Sequence, residues 1–205
     1  MLEIGVLVSG RGSNLEAVLK SVEKGVVRNA RVAVVISNDP NARALRVARR
    51  HGAKAVALDD AGDSRETYGA KLAQVLMKNG VEPGRGLVLL AGFMKILPES
   101  FVGLYEGRMM NIHPALLPAF PGLRAQKQAL DHGVKVAGCT VHFVVPEVDA
   151  GPIILQKAVP VQDGDDEESL SARILRQEHR LYPLAVELFA EGRLRIDGRV
   201  VRRQA

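Results

Sequence analysis

The alternation of apolar runs with mixed segments predicts strands that alternate with helices in the first half of the chain. The apolar run Leu2–Val8 ends in the polar segment Ser9–Asn14, and a helical pattern follows with one apolar face at Leu15, Val18, Leu19 and Val22. Further strands are predicted at Arg31–Ile36, Lys54–Leu58, Gly86–Ala91 and Arg108–His113, and helices at Ala42–His51 and Ser64–Lys78. Strands that alternate with helices in this way are typical of a parallel sheet.

The second half of the chain has a different pattern. Two further strands and a long helix are predicted, at Val134–Val145, Pro152–Val161 and Glu167–Ala190. Pro183 is expected to interrupt or kink that helix because proline lacks the amide that an interior turn needs. The closing segment Arg193–Arg203 has Asp197-Gly198 between short runs, which predicts a hairpin with a type I′ turn.

These elements predict an α/β fold with a Rossmann-like, open, mostly parallel twisted sheet flanked by helices, and antiparallel strands in the C-terminal half. The chain has 205 residues, a length that fits one domain over residues 1–205. Its half at 1–105 resembles a mononucleotide-binding unit, and its half at 106–205 is expected to supply other chemistry. Hydrophobic residues make up 47% and aromatic residues 4%, and such an aliphatic core favours an α/β protein.

Composition also limits the class of protein. The opening MLEIGVLVSG does not have the form of a signal peptide, and no apolar run approaches the roughly 18 residues of a membrane span. Cys139 is the single cysteine, so neither an intrachain disulfide nor a cysteine cluster for zinc can form. We therefore expect a soluble cytoplasmic protein that does not bind membranes.

The net charge of +5 raises the question of nucleic-acid binding. The positive excess is concentrated near the end of the chain, at Arg193, Arg195, Arg199, Arg202 and Arg203. No aromatic residue is interleaved with these arginines, so they offer no stacking platform for a single strand. The pattern favours a solvated edge hairpin over a nucleic-acid surface, and the surplus charge suits small anionic substrates.

The segment between the first strand and the first helix is a candidate phosphate site. Two glycines within Ser9–Asn14 allow the backbone to approach an anion, and a helix N-terminus offers free amide groups. The segment is neither a dinucleotide fingerprint nor a P-loop, so it suits one phosphate. The alternative is a tight turn closed by a capping box, with Ser13 as N-cap and Glu16 three residues later.

Asn111 and His113 are candidate catalytic residues. Side chains two apart on a strand share a face, so these two project together near a strand end that Pro114 terminates. An amide donor beside an imidazole can hold an oxyanion and move a proton. A hydrogen-bonded structural pair is the alternative.

Asp149, His142 and Glu178 complete the polar candidates. Asp149 lies in the turn after the next strand, where its charge would favour the cationic form of His113, or where it serves only its own backbone. His142 could have a functional or a structural role, and the structural role is slightly favoured. A metal site formed by the two histidines and Asp149 is disfavoured because the spacing of metal-binding histidines is absent. Glu178 falls on the apolar stripe of the last helix, where a buried charge needs a partner, either a ligand or an arginine.

Together these residues resemble the folate-dependent formyltransferase family over nearly the whole chain. The resemblance rests on Asn111-Ile112-His113-Pro114, Leu116-Leu117-Pro118 and Asp149-Ala150-Gly151-Pro152-Ile153-Ile154. It is narrowed to the branch that acts on glycinamide ribonucleotide by Gly12-Ser13-Asn14-Leu15, Ala91-Gly92-Phe93-Met94 and Gln177-Glu178-His179. The sequence departs from the family at Ala115, where serine is frequent, and at Gln126, where several relatives have histidine.

The resemblance implies a role for each matching residue. The catalytic residues would be Asn111, His113 and Asp149. The ribonucleotide would be bound by Gly12, Ser13, Asn14 and Glu178. The folate would be bound by Arg65, Met94, Lys95, Ile96, Leu97, Asn111, Val144, Val145, Pro146, Glu147, Val148 and Asp149. The Leu117-Pro118 bond would be cis, and the half at 106–205 would be the catalytic and folate-binding half.

The implied reaction is transfer of the formyl group of 10-formyltetrahydrofolate, a co-substrate, to the amine of glycinamide ribonucleotide in purine biosynthesis. The amine would attack the formyl carbon directly through a tetrahedral intermediate, without a metal. The partners would be these small molecules alone, with no nucleic acid, and the protein would be a monomer or a homodimer. Related deformylases and methionyl-tRNA formyltransferases have an extra domain at one end, for which a strand beginning at Leu2 and the short C-terminal segment leave no room. A non-catalytic nucleotide-binding module is the remaining alternative.

Overall fold

The computed structural model describes residues 1–204, in which strands and helices alternate as far as the middle of the chain. The elements in chain order are β1 Leu2–Val8, α1 Ser13–Glu23, β2 Ala30–Ser37, α2 Arg43–Arg50, β3 Lys54–Ala57, α3 Arg65–Lys78, β4 Leu87–Leu90, α4 Glu99–Leu104, β5 Met109–His113, α5 Ala125–Asp131, β6 Val136–Phe143, β7 Ile153–Pro160, α6 Glu167–Ala190, β8 Leu194–Asp197 and β9 Val200–Arg203. Among these described residues, no helix is long and apolar enough to cross a membrane.

All of these strands join one sheet in the order β3-β2-β1-β4-β5-β6-β7-β9-β8. The first five strands pair in parallel, whereas β6 pairs antiparallel with both β5 and β7. The hairpin β8–β9 extends the sheet beyond β7. This topology confirms the predicted α/β fold, with its parallel first half and antiparallel strands in the second.

The sheet is covered by a hydrophobic core on each face. Neighbouring residues of β1 belong to different cores: Val6 and Val8 lie in one and Leu7 lies in the other. This division follows from the alternation of side chains along a strand and explains why the inner strands are aliphatic throughout. The Tyr182 hydroxyl donates to the carbonyl oxygens of Leu90 and Met110, 3.0 Å away in both cases. Helix α6 is therefore fixed against β4 and β5, whose ends carry the site.

Three local predictions need correction. The two short helices α4 and α5 were not predicted because six or seven residues are too few to show a helical period. Helix α6 is not interrupted at Pro183, since buried residues on both sides, among them Tyr182 and Val186, hold it against the sheet. The hairpin turn is not type I′. Asp197 pairs with Val200, and the single positive φ, 59° at Gly198, fits type II′.

Candidate active site

Strands β5 and β6 place four polar side chains on one face of the sheet. Asn111 lies opposite His142, and His113 lies opposite Thr140. The shared face of Asn111 and His113 is the one that strand alternation predicts. His142, for which the sequence only slightly favoured a structural role, is therefore a direct neighbour of the candidate catalytic pair.

Asp149 reaches this face from the turn between β6 and β7. One carboxylate oxygen, Oδ2, lies 3.3 Å from Nδ1 of His113, and the other, Oδ1, lies 3.4 Å from Nδ2 of Asn111. The backbone amide of Gly122 donates to Oδ2 at 2.8 Å. The structure thus brings together the three residues to which the resemblance assigned catalysis, although Asn111 and Asp149 are 38 positions apart.

Asp149 is ionised at neutral pH. Burial acts to raise the pKa of its carboxyl, but the nearby His142 side chain, the hydrogen bond from the Gly122 amide and the charge of His113 outweigh burial and lower that pKa. A carboxylate held in this way is a fixed negative charge next to His113.

Both ring nitrogens of His113 face hydrogen-bond acceptors. Its Nε2 lies 2.8 Å from the carbonyl oxygen of Phe120, an acceptor, so Nε2–H donates. Its Nδ1 faces the ionised carboxylate of Asp149, which also only accepts. Both ring nitrogens therefore lie against groups that can only accept a hydrogen bond.

His142 orients Asn111. Nδ1 of His142 donates to the Phe143 carbonyl oxygen at 2.8 Å, which leaves Nε2 as an acceptor in the neutral ring. The amide nitrogen of Asn111 lies 3.2 Å from that Nε2 and donates to it. Its second proton makes the 3.4 Å bond to Asp149, which is long and weak. A stronger acceptor would displace that bond, so Asn111 has a donor to offer a developing oxyanion.

The turn after β5 is held from the facing strand. The Thr140 hydroxyl donates to the Ala115 carbonyl oxygen at 2.6 Å and accepts from the Leu117 amide at 3.0 Å. The Leu117-Pro118 bond is cis, as the family resemblance implied. This turn leads to Phe120 and Gly122, whose backbone groups contact His113 and Asp149.

The N-terminus of α1 has no side-chain cap. The N-cap is Gly12, with φ of 80°, and the capping box predicted as the alternative at Ser13 and Glu16 is not formed. Helical bonding begins with the Glu16 amide, which donates to the Gly12 carbonyl oxygen. The amides of the first turn are therefore available to an anion, which favours the phosphate interpretation of this loop.

Glu178 meets the same loop from α6. Its side chain is 6% exposed and accepts a 2.7 Å hydrogen bond from Nδ2 of Asn14, 164 positions away. Burial raises the pKa of the Glu178 carboxyl, and the Asn14 bond only partly offsets that rise. The partner that the buried glutamate needs within the fold is thus an amide and not an arginine. Within residues 1–204, the buried Oδ1 of Asn14 has no hydrogen-bond partner.

The segment after β4 presents apolar side chains to solvent beside the phosphate loop. The amide of Met94 donates to Oγ of Ser9 at 2.9 Å, which ties the two segments together. Met94 is 62% exposed and Ile96 is 59% exposed, while Leu97 is partly buried in the core. Lys95 pairs with Asp60, with 2.6 Å between Nζ and Oδ2.

The other candidate folate residues lie in two places. In the Val144–Asp149 loop, Val148 is 57% exposed and Val144 packs on the same core as Leu97. Arg65 is exposed at the first residue of α3. Within residues 1–204, no ion pair or side-chain hydrogen bond joins Arg65 to the other candidates.

Two cavities in the fold lie away from this site. A cavity of about 600 Å³ lies at the amino ends of β1, β2 and β3, where it is lined by Glu3, Arg31 and Lys54 among others. A cavity of about 220 Å³ lies behind Phe120 and Ala115 and is apolar. Among residues 1–204, no group of three or more His, Cys, Asp or Glu side chains is placed to hold a metal ion.

The uncapped start of α1 could hold an anion, and the Asn–His–Asp cluster could stabilise a developing oxyanion, which together fit an enzyme that transfers a group to a phosphorylated substrate. The chain belongs to the formyl transferase family, whose model matches residues 2–186. The match ends before the hairpin β8–β9.

Individual relatives agree with the family. The chain is 43% identical to the phosphoribosylglycinamide formyltransferase of Escherichia coli, over 95% of this chain and 90% of that protein. It is similar to the crystal structure of glycinamide ribonucleotide transformylase 1 from Symbiobacterium toebii, with a TM-score of 0.96, 54% identity and coverage of 100% of this chain and 95% of that chain. It is also 44% identical to part of the trifunctional purine biosynthetic protein adenosine-3 of Gallus gallus, over 95% of this chain and 19% of that protein.

Proposed function

We propose that the chain transfers the formyl group of 10-formyltetrahydrofolate to the amine of glycinamide ribonucleotide in purine biosynthesis. The observation that carries the proposal is the contact of ionised Asp149 with both His113 and Asn111. Relatives that match nearly all of this chain are named for this reaction.

The ribonucleotide would bind at the start of α1. The free amides at Gly12, Ser13 and Asn14 suit a single phosphate because no side chain caps the start of α1. Glu178 would accept hydrogen bonds from hydroxyl groups of the ribose. The unpartnered Oδ1 of Asn14 is a second buried acceptor next to it, and an unsatisfied buried acceptor favours a ligand that donates.

The folate would lie across the exposed apolar groups of the Met94–Leu97 segment and the Val144–Asp149 loop. A flat aromatic ring system would cover Met94, Ile96 and Val148, whose side chains are otherwise exposed to water. Lys95 and Arg65 are the cations that would attract the carboxylates of the glutamate tail. Lys95 would then exchange its pairing with Asp60 for the ligand.

In the reaction, the glycinamide amine attacks the formyl carbon, and the carbonyl oxygen becomes an oxyanion. The N–H groups of Asn111 and of the His113 imidazolium stabilise this charge, and Asp149 keeps the imidazolium in place. The attacking nitrogen loses one proton and the departing folate nitrogen gains one. His113, or a water held by Asp149, carries that proton, so charge and atoms balance without a covalent enzyme intermediate.

We also propose that the protein acts in the cytoplasm on these small molecules alone, as a single domain over residues 1–205, in a monomer or homodimer, without nucleic acid, membrane or metal. The names of the relatives support the small-molecule substrates in this set.

The test is an assay with 10-formyltetrahydrofolate and three acceptors: glycinamide ribonucleotide, unphosphorylated glycinamide riboside, and water. Rapid transfer to the ribonucleotide, slower transfer to the riboside, and no hydrolysis are expected. Replacing His113 with alanine should slow transfer by about two orders of magnitude, and a metal chelator should leave the rate unchanged. Release of formate without transfer would instead indicate a deformylase, and binding without turnover a non-catalytic module.

A further inference from the structure

The hairpin β8–β9 contacts the turn that carries Asp149. The two-residue turn of this hairpin consists of Gly198 and Arg199. Nη2 of Arg199 donates a 3.2 Å hydrogen bond to the carbonyl oxygen of Ala150, the residue after Asp149. The hairpin also pairs with β7 where Ile153 faces Val200. A C-terminal segment that follows the part matched by the family model therefore touches the candidate site.

The turn around Asp149 benefits from outside support. Asp149 has φ of 54°, in the left-handed region that residues other than glycine adopt at a cost. Within the turn, the Ala150 amide donates to the Glu147 carbonyl oxygen over 3.4 Å, which is long. A Cβ at Gly151 would lie 1.8 Å from the Phe143 carbonyl oxygen, so the backbone is pressed against β6 there. The Ala150 carbonyl is the point at which a neighbouring element can hold this turn from the other side.

We propose that Arg199 is a positioning residue for Asp149. By holding the Ala150 carbonyl, Arg199 keeps the turn in the conformation in which the carboxylate reaches His113 and Asn111. Arg199 acts through the backbone and does not touch the substrates. The consequence for catalysis rests on the proposed function, whereas the consequence for the geometry of Asp149 does not.

The other arginines of the hairpin serve as internal comparisons. Arg202 pairs with Asp197 inside the hairpin, and Arg193 pairs with Glu191. Within residues 1–204, Arg195 makes no side-chain hydrogen bond or ion pair. Arg195 therefore matches Arg199 in charge and location but lacks the contact with the Asp149 turn.

The experiment compares R199A and R199K with the control R195A in the full chain. R199A should lower kcat roughly tenfold, since small displacements of catalytic groups are costly, and should change the KM of the ribonucleotide little. R199K should recover most of the loss, because an ammonium can also donate to the carbonyl. R195A should behave like the unmodified protein. The alkaline limb of the kcat profile should move to lower pH in R199A, since a misplaced Asp149 stabilises the imidazolium of His113 less.

A second measurement does not depend on activity. His113 should lose its proton at lower pH in R199A than in the unmodified protein, as followed by NMR, and R199A should have no such effect once Asp149 is replaced by asparagine. An unchanged kcat profile and an unchanged His113 titration in R199A would overturn the proposal, even if the melting temperature fell. An equal effect of R199A with and without the Asp149 charge would also overturn it. If the unmodified protein transferred no formyl group, the proposed function would fail while the NMR comparison still decided the role of Arg199.

Discussion

Replacing Asp149 with asparagine removes one charge from the site and keeps its shape. The charge lies 3.3 Å from Nδ1 of His113, and both side chains are largely buried. With an effective dielectric constant of about 20, a pair of unit charges at that distance interacts by about 5 kcal/mol, which is a ceiling for the loss. The asparagine still presents a dipole, and residual solvent reduces the effect further. We therefore expect a loss of about 2 to 3 kcal/mol in the stabilisation of the imidazolium.

That loss should appear mainly in turnover. A loss of 2 to 3 kcal/mol corresponds to a roughly 30- to 160-fold lower kcat, because the cation matters most when the oxyanion develops. Binding of both substrates should change much less. Folding stability should also depend on Asp149. Because the pKa of its carboxyl is lowered in the fold, the ionised carboxylate contributes to the free energy of unfolding at neutral pH, and this contribution is lost only as pH falls through the lowered pKa. In D149N this acid-side loss should vanish.

The assay combines steady-state kinetics at several pH values with an NMR titration of His113 in both proteins. D149N should bind both substrates with near-normal affinity, turn over slowly at neutral pH, and release the His113 proton at lower pH. Normal turnover together with an unchanged His113 titration would refute the electrostatic reasoning and return Asp149 to the role of a turn residue.

Three further predictions follow from buried positions. Because burial raises the pKa of Glu178, the ionised carboxylate destabilises the fold increasingly as pH rises. E178Q should therefore raise the melting temperature more at pH 8 than at pH 4 and lower ribonucleotide affinity about tenfold. An equal rise in melting temperature at both pH values would contradict this. In G12V, the new Cβ would lie 2.8 Å from Cα and Cβ of Ala44, so both the melting temperature and ribonucleotide affinity should fall. In an open loop, ribonucleotide affinity alone would fall. An unchanged melting curve would argue against the clash. Burial raises the pKa of the Cys139 thiol to about 12, so a thiol reagent at pH 8 should modify the unfolded protein and spare the native one.

Most of the fold could be predicted because the strands are aliphatic runs that end at glycine, proline or polar residues. The start of α1 was ambiguous, since Ser13 and Glu16 fit a capping box and also fit a free anion site. The structure decides this through the conformation of Gly12, a single backbone angle that the sequence leaves open. The observed hairpin turn lies one residue later than the predicted one for a similar reason. Gly198 can adopt a positive φ at either central position of a two-residue turn, so the sequence does not fix the position of the turn.

The site divides into parts that local sequence predicts and parts that it does not. Asn111 and His113 are two residues apart on one strand, so their shared face follows from alternation alone. The position of Asp149 depends on the backbone of a turn with φ of 54°, and its role came from the resemblance. The place of His142 opposite Asn111 depends on the register of β5 and β6, which alternation does not determine.

Contacts made by backbone groups are the hardest part of the site to predict from the sequence. Phe120 and Gly122 contact His113 and Asp149 through a carbonyl oxygen and an amide, which any residue could supply. Glu178 was detectable because a charge interrupts an apolar stripe, but its partner Asn14 lies 164 positions away and could not be assigned.

Two donors of the site make weaker hydrogen bonds in the free protein than they would make to an oxyanion. In the free protein, Nε2 of His113 donates to the neutral carbonyl oxygen of Phe120. The amide of Asn111 donates one of its hydrogen bonds to Asp149 over 3.4 Å, which is long. A formyl oxygen is also a neutral carbonyl oxygen. When the substrate binds, replacing the Phe120 oxygen with the formyl oxygen as the acceptor therefore adds little binding free energy. The oxyanion that follows is a far stronger acceptor, and hydrogen bonds to charged oxygens are about twice as strong as neutral ones. The exchange therefore favours the transition state over the bound substrate, which is the condition for a binding interaction to raise kcat.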